Sequence, residues 1–232
     1  MAQNEVCPIC KGMGIIMYEK DGYQYAKNCE CRELMFARER IERSGISEEF
    51  QGKGFKNFND RGMEVLKKAK AIGIDYCKRF PEIRSTRRNS VLYQGQVGSG
   101  KTHLSIAICN AIMDKHRTGV VYMPYREEIT KIKQCVTDEI NYNHAISRFK
   151  NAPVLMIDDL LKGKNTDADI NILFEIINHR YFKNLPMIIS TEKTTDELLD
   201  FDEGTMSRVI EMARGHQIEI TGREYNYRLY GD

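Results

Sequence analysis

The stretch GQVGSGKTHL, residues 95–104, decides the fold. It fits the pattern G-x4-G-K-T and stands between a short apolar strand, NSVLYQG (89–95), and a helical run, HLSIAICNAIMDKH (103–116). That order of strand, glycine-rich loop and helix turns a string match into a physical claim. Glycines let the backbone bend so that successive N–H groups point at phosphate oxygens, with the positive end of a helix behind them. Gly95, Gly98, Ser99, Gly100, Lys101, Thr102 and His103 are therefore the expected nucleotide-binding residues. Lys101 is expected to reach the β- and γ-phosphates of ATP, and the Thr102 hydroxyl to ligate Mg²⁺.

Downstream, NAPVLMIDDL (151–160) holds a continuous apolar run at 154–157, suited to a buried parallel strand. It delivers Asp158 and Asp159 to the strand's carboxyl end, where open α/β sheets bind ligands. One carboxylate is needed for the Mg²⁺ shell, and a second can orient or deprotonate the attacking water. Asp158 is assigned to magnesium and Asp159 to water. After a helical stretch, NTDADINILFEIINHRYF (165–182), the strand PMIISTEKT (186–194) is expected to end beside the γ-phosphate. Ser190, Thr191 and Glu192 are the candidates to sense it, and spacing does not choose among them. GTMSRVIEM (204–212) is helical by pattern and carries Arg208, which by spacing alone is a solvated charge.

Composition narrows the class. The 232 residues can bury a full core and hold one α/β domain plus a small module. Lys and Arg number 35 against 33 acids, so no global basic field advertises nucleic acid. No apolar run approaches the ~20 residues of a membrane span, and the amino end has no signal-peptide core, so a soluble cytoplasmic protein is expected.

In a reducing compartment the seven cysteines are available for metal rather than disulfides. Cys7 and Cys10 (CPIC) and Cys29 and Cys31 (CEC) form two close pairs, the pattern of a zinc ribbon or knuckle. So small a module lacks a core, and Zn²⁺ binding, which supplies about 10–16 kcal/mol in finger peptides, would be its main source of folding energy. The alternative is reduced or redox-active thiols. Cys77, Cys109 and Cys135 read as small core residues.

ELMFARERIERSG (33–45) then reads as a helix with Leu34, Ala37 and Ile41 on one face and Gly45 as its stop. A polar, glycine-rich linker follows. Helical sequence resumes in GMEVLKKAKAIGIDYCKRF (62–80), which Pro81 is expected to end. The resulting division is a zinc-binding module and helix at 1–45, a linker at 46–60 and an ATPase domain at 61–232.

Taken together, GQVGSGKTHL, LMIDDL, IIST followed by DELL, SRVIEM, and a terminal QIEITGREYNYR resemble the helicase loaders of the DnaC and DnaI type. These form an AAA+ ATPase branch that also includes the IstB transposition helpers. CPIC…CEC, SGISEEF and GFKNF are similar to the amino end and linker of the loaders of Gram-positive bacteria and their phages. The resemblance covers nearly the whole chain.

It implies an α/β fold, a five-stranded parallel sheet between helices. The chain ends soon after QIEITG, which implies that the helical lid of larger AAA+ proteins is lacking. It implies that Arg208 is an arginine finger acting in trans on a neighbouring copy, a device worth about 10³–10⁵ in rate. Related ATPases commonly sense γ-phosphate with Asn, where this chain offers Thr191 or Glu192. In the loaders the element at VVYMPYREEITKIKQ (120–134) helps form a groove for single-stranded DNA. Tyr122, Tyr125, Arg126, Lys131 and Lys133 would supply its stacking faces and phosphate partners. A strand followed by an amphipathic helix with a solvated outer face explains the same residues. Phe55 and Phe58 are read either as adenine contacts or as linker aromatics docked on the core.

The implied function is ATP-dependent loading: the zinc module grips the replicative hexameric helicase, the ATPase domain uses ATP to hold single-stranded DNA or its neighbouring copies, and hydrolysis, weak in an isolated subunit, releases the helicase onto the strand. The competing readings are an IstB-like transposition helper, a P-loop small-molecule kinase, which would need a lid with paired arginines, and a nucleotide-dependent adaptor with negligible turnover.

Overall fold

The computed structural model describes residues 7–32, 35, 36, 39 and 52–231. Its first element is an antiparallel hairpin of β1 (Ile15–Lys20) and β2 (Tyr23–Asn28). Asp21 and Gly22 close it, both at positive φ, the backbone that a two-residue hairpin turn demands and that Asp-Gly tolerates. Leu34, Ala37, Ile41 and Gly45 lie outside the described residues, as does the linker up to residue 51.

The remaining elements alternate. They are α1 (Glu64–Ile83), β3 (Val91–Gly95), α2 (Lys101–His116), β4 (Val120–Pro124), α3 (Tyr125–Gln134), α4 (Glu139–Lys150), β5 (Val154–Leu160), α5 (Asp167–Lys183), β6 (Met187–Thr191), α6 (Thr195–Met212), β7 (Gln217–Ile220) and α7 (Tyr227–Tyr230). The five strands from β3 onward pair in parallel in the order β4-β5-β6-β3-β7, the expected sheet. Helices cover both faces, so the inner strands carry apolar runs such as residues 154–157, and alternate residues serve opposite cores. Val154 and Met156 join Leu104, Ile108 and Ile112 of α2 and Tyr76 and Phe80 of α1. Leu155 and Ile157 join Phe149 of α4 and Ile172 and Ile176 of α5. Because β6 lies between β5 and β3, its carboxyl end sits between the acidic pair and the glycine loop.

Fully buried Arg180 of α5 stitches one edge of this core. Its guanidinium donates to the carbonyls of Phe149, Ala152 and Pro186 at 2.8, 2.9 and 2.7 Å, tying the end of α4 to the segments that enter β5 and β6. Carbonyl dipoles on several sides stand in for the counter-ion that a buried cation otherwise needs.

Pro81 does not end α1; the helix runs on to Ile83. A proline ring offers no N–H to the carbonyl four residues back, here that of Cys77. His116 at the end of α2 repairs the loss, its Nε2 lying 2.7 Å from the Cys77 oxygen. A carbonyl only accepts, so Nε2 carries the proton.

The sequence DELLDFDEGTMSRVIEM forms one helical run, α6, broken locally at Asp202, whose φ of −161° and ψ of 94° are extended. The Thr205 hydroxyl donates to the Asp202 carboxylate, so the second half starts afresh and carries Arg208. None of the described helices is long and apolar enough to cross a membrane.

Candidate functional site

The glycine loop joins the end of β3 to the start of α2. Gly95 has φ +96°, and a Cβ there would run into the Ile220 carbonyl oxygen of β7. Gly98 has φ +73°, and a Cβ there would strike the Asn226 side chain. These glycines thus admit two close neighbours as well as the loop's own bend. Lys101 is buried beneath the loop and donates from Nζ to the carbonyls of Gly95 and Gln96 at 2.7 and 2.6 Å. Burial pulls its ammonium down to about 8, against the raising field of Asp159, Glu192 and Asp158. The Ser99 hydroxyl donates to Gln96 at 2.8 Å.

Thr102 and Asp158 come from the two halves of the expected site and meet. The Thr102 hydroxyl donates to Asp158 Oδ1 at 2.8 Å, joined there by Ser190 at 2.5 Å, while Tyr122 donates to Oδ2 at 3.0 Å. Burial pushes the Asp158 carboxyl above the usual range, and the Ser190 hydroxyl leads the groups that hold it back. A hydroxyl and a carboxylate oxygen in contact beneath a glycine loop are hard oxygen donors of the kind Mg²⁺ takes, so the residues fit that ion.

Asp159 faces elsewhere. The pairing of β5 with β6 shifts between Ile157 and Leu160, and Asp159 takes φ +54°, swinging its side chain out of the strand's alternation. Its Oδ2 lies 2.6 Å from Lys162 Nζ, which also lies 3.1 Å from Glu192 Oε1. Of the three sensor candidates, Ser190 is spent on Asp158, and buried Thr191 donates to the Leu160 carbonyl at 2.7 Å. Glu192 lines the cleft beside Gly98, Ser99, Lys101, Thr102 and Asp159.

Lys162 was not singled out by sequence reasoning. A lysine three residues past an acidic pair carries no motif, and only the left-handed turns at Asp159 and Leu161 bring it back over the site. A second wall was also missed. Arg61, Tyr225, Tyr227 and Arg228 line the same cleft, with the Tyr227 N–H donating to the Gly98 carbonyl at 2.9 Å. His103 serves the linker side: its Nε2 lies 3.0 Å from the Gly54 oxygen and its ring meets Phe58 edge-on at 5.3 Å. Phe58 is buried there, docked on the core as well as lining the cleft.

Of the two tyrosines of the expected DNA groove, Tyr125 is corrected. Tyr125 is buried, its hydroxyl 2.6 Å from Asn165, because it opens α3 facing inward; its ring offers no base a stacking face. Tyr122 is half-buried and turned by strand alternation to Asp158, to which its hydroxyl donates. Lys131 and Lys133 are engaged with Glu128 and Asp169 at 2.8 and 2.7 Å, and Arg126 is exposed beside Gly163. Arg208 does not line the cleft. Its guanidinium lies over the rings of Tyr181 and Phe174, at 5.5 and 5.9 Å.

At the amino end, Cys7, Cys10, Cys29 and Cys31 converge, with all four sulfurs within 4.8 Å of one another. The Cys7–Cys29 sulfurs are 3.8 Å apart and the Cys10–Cys31 sulfurs 3.3 Å. Tetrahedral Zn²⁺ with bonds of about 2.3 Å sets sulfurs about 3.8 Å apart, so the cluster fits the ion. The N–H groups of Cys10 and Ile9 draw Cys7 down to about 6, while its neighbour Cys10 pushes the Cys31 thiol well up. Thiolates this close repel unless a cation sits among them. Cys77 and Cys109 are buried core residues, while Cys135 is half-buried.

Residues 63–214 match the model of the bacterial DnaA ATPase domain family. The chain is 36% identical over 213 residues to YqaM of Bacillus subtilis strain 168, a match covering 88% of this chain and 67% of YqaM. It is 32% identical over 233 residues to XkdC of the phage-like element PBSX of the same organism, covering 97% of this chain and 86% of XkdC. Its fold is similar to that of the DnaC helicase loader, with a TM-score of 0.66 at 21% identity over 75% of this chain and 100% of that one.

Proposed function

Because the chain belongs to the family of the bacterial DnaA ATPase domain and has the AAA+ fold of a helicase loader, we propose that it loads a replicative hexameric helicase onto single-stranded DNA, driven by ATP. The observation that carries the ATPase half is the Thr102–Asp158 contact, which joins the glycine loop to the acidic strand as a Mg²⁺ site requires. The bound ion would neutralise charge on the β- and γ-phosphate oxygens. Lys101, already buried under the loop, holds the phosphates from the other side. Asp159, turned into the cleft, orients the attacking water. Lys162 supplies the donor at the γ-phosphate that a carboxylate sensor cannot, and Glu192 holds it in place.

Arg208 lies outside its own cleft, which supports a role in trans on a second copy and hence turnover that rises with assembly. The four-thiolate module, supported by Zn²⁺, serves the helicase. Residues 1–45, 46–60 and 61–232 are the proposed module, linker and ATPase domain. Function rests on sites and not on the fold, so the partner needs a direct test. Full-length protein mixed with the replicative helicase of its source should co-elute on a sizing column in one of ATP and ADP and separate in the other. No complex in either nucleotide withdraws the loader reading and leaves the ATPase reading standing.

A further inference from the structure

The hairpin that carries the cysteine cluster has two chemically different faces. Its register pairs Ile16 with Lys27, Tyr18 with Tyr25 and Lys20 with Tyr23. Side chains alternate along a strand, so these six share one face. Ile16 packs on the cysteines, and the other five are exposed. Ile15, Met17 and Ala26 fall on the opposite face with the acid Glu19.

The first face is built of rings and cations. Tyr18 and Tyr25 stack at 5.6 Å with planes 23° apart, and Lys27 Nζ lies 5.8 Å over the Tyr18 ring. Tyr23 is 70% exposed and opposes Lys20. Both formal charges on this face are positive. A module with so little core gains by burying rings, yet this one leaves three of them in water. Flat exposed rings interleaved with lysines are the two components of a surface for unpaired nucleic acid: bases stack on the rings and phosphates meet the cations. A duplex keeps its base faces covered, so the surface suits a single strand.

We propose that the Tyr18–Tyr25–Tyr23 face of the hairpin, with Lys20 and Lys27, binds single-stranded DNA. This rests on the hairpin alone and not on the ATPase cleft.

The test is anisotropy of a labelled oligo-dT with full-length, zinc-loaded protein. Tyr18→Ala with Tyr25→Ala should weaken binding by roughly five- to a hundredfold for each base stack lost, whereas Tyr18→Phe with Tyr25→Phe should not. Lys20→Gln with Lys27→Gln should lower the slope of log affinity on log salt by about 1.4. Zinc content reports whether each variant is folded. Should the alanine pair lose its metal, a bromodeoxyuridine oligonucleotide crosslinked to wild-type protein decides instead, and crosslinks confined to residues 52–231 overturn the proposal. Unchanged affinity in folded alanine and glutamine variants overturns it too, as does loss of helicase co-elution with oligo-dT binding intact, which would make the face a protein docking surface.

Discussion

Lys162 Nζ lies 2.6 Å from Asp159 Oδ2 and 3.1 Å from Glu192 Oε1, so a single cation bridges two carboxylates at the mouth of the nucleotide cleft. Its bond to Asp159 leads the effects that raise its ammonium, keeping it charged at any pH of interest. Without it, Asp158, Asp159 and Glu192 would present three acids to a triphosphate. Lys162→Ala is expected to lower kcat by roughly 10²-fold, the cost of one charge-stabilising donor, with Lys162→Arg recovering part of the loss. Steady-state phosphate release measures it. Faster turnover in the alanine variant would instead make Lys162 a restraint on Asp159.

Removing metal should separate the two ends of the chain. A chelator strong enough to strip Zn²⁺ is expected to abolish hairpin structure and to leave the unfolding of the ATPase core in place, since no cysteine of the cluster belongs to either large core. Metal analysis should find about one equivalent per chain, lost on Cys29→Ser. A folded, metal-free hairpin would refute the site.

Pro81 and His116 form a compensating pair. His116→Ala strands the buried Cys77 carbonyl and should cost about 1–3 kcal/mol in urea unfolding. In a Pro81→Ala background the helix recovers its own N–H donor, so the same histidine change should cost clearly less. Equal costs in both backgrounds would show that the bond contributes nothing.

Arg208→Ala is expected to bind ATP as the native chain does and to lose the rise in turnover with protein concentration or DNA. Lost arginine fingers cost about 10³–10⁵ in rate. Because the guanidinium also lies over Tyr181 and Phe174, an unfolding curve should accompany the kinetics. Stimulated turnover that survives the change returns Arg208 to the solvated surface.

The parts of this molecule legible in its sequence are those fixed by local chemistry. Gly98, Gly100, Lys101 and Thr102 announce themselves because phosphate contact demands those types at that spacing, and residues 154–157 because a strand covered on both faces has no polar alternation. The cysteine pairs are legible for the same reason. What stayed hidden depends on partners distant in the chain. The Cys77 carbonyl finds His116 across the packing of α1 on α2, so α1 survives a proline that local rules would make its end. Tyr125 looked like a stacking ring until α3 turned it inward to Asn165. Lys162 reaches the cleft only through two non-glycine residues at positive φ, a backbone that composition does not advertise.

The hidden wall of the cleft offers the last prediction. Arg61 donates from Nη2 to the Glu224 carbonyl at 2.9 Å and from Nη1 to the Tyr230 carbonyl at 3.3 Å, and its guanidinium lies 5.9 Å from the centre of the Tyr227 ring. One side chain therefore grips both ends of the segment whose Tyr227 N–H touches Gly98. Releasing that grip should let residues 223–231 lift from the loop while the sheet and its two cores stay intact. Arg61→Ala is then expected to speed nucleotide dissociation by roughly three- to thirtyfold, the range of one or two lost hydrogen bonds, with little change in global unfolding. Lys should not rescue it, because a single ammonium lacks the spread of a guanidinium across two carbonyls. Gly98→Ala should act in the same direction and more strongly, since its methyl would displace Asn226 directly. Stopped-flow release of a fluorescent ATP analogue reads all three variants. If Arg61→Ala releases it at the native rate, the segment is a bystander and the cleft closes by other means.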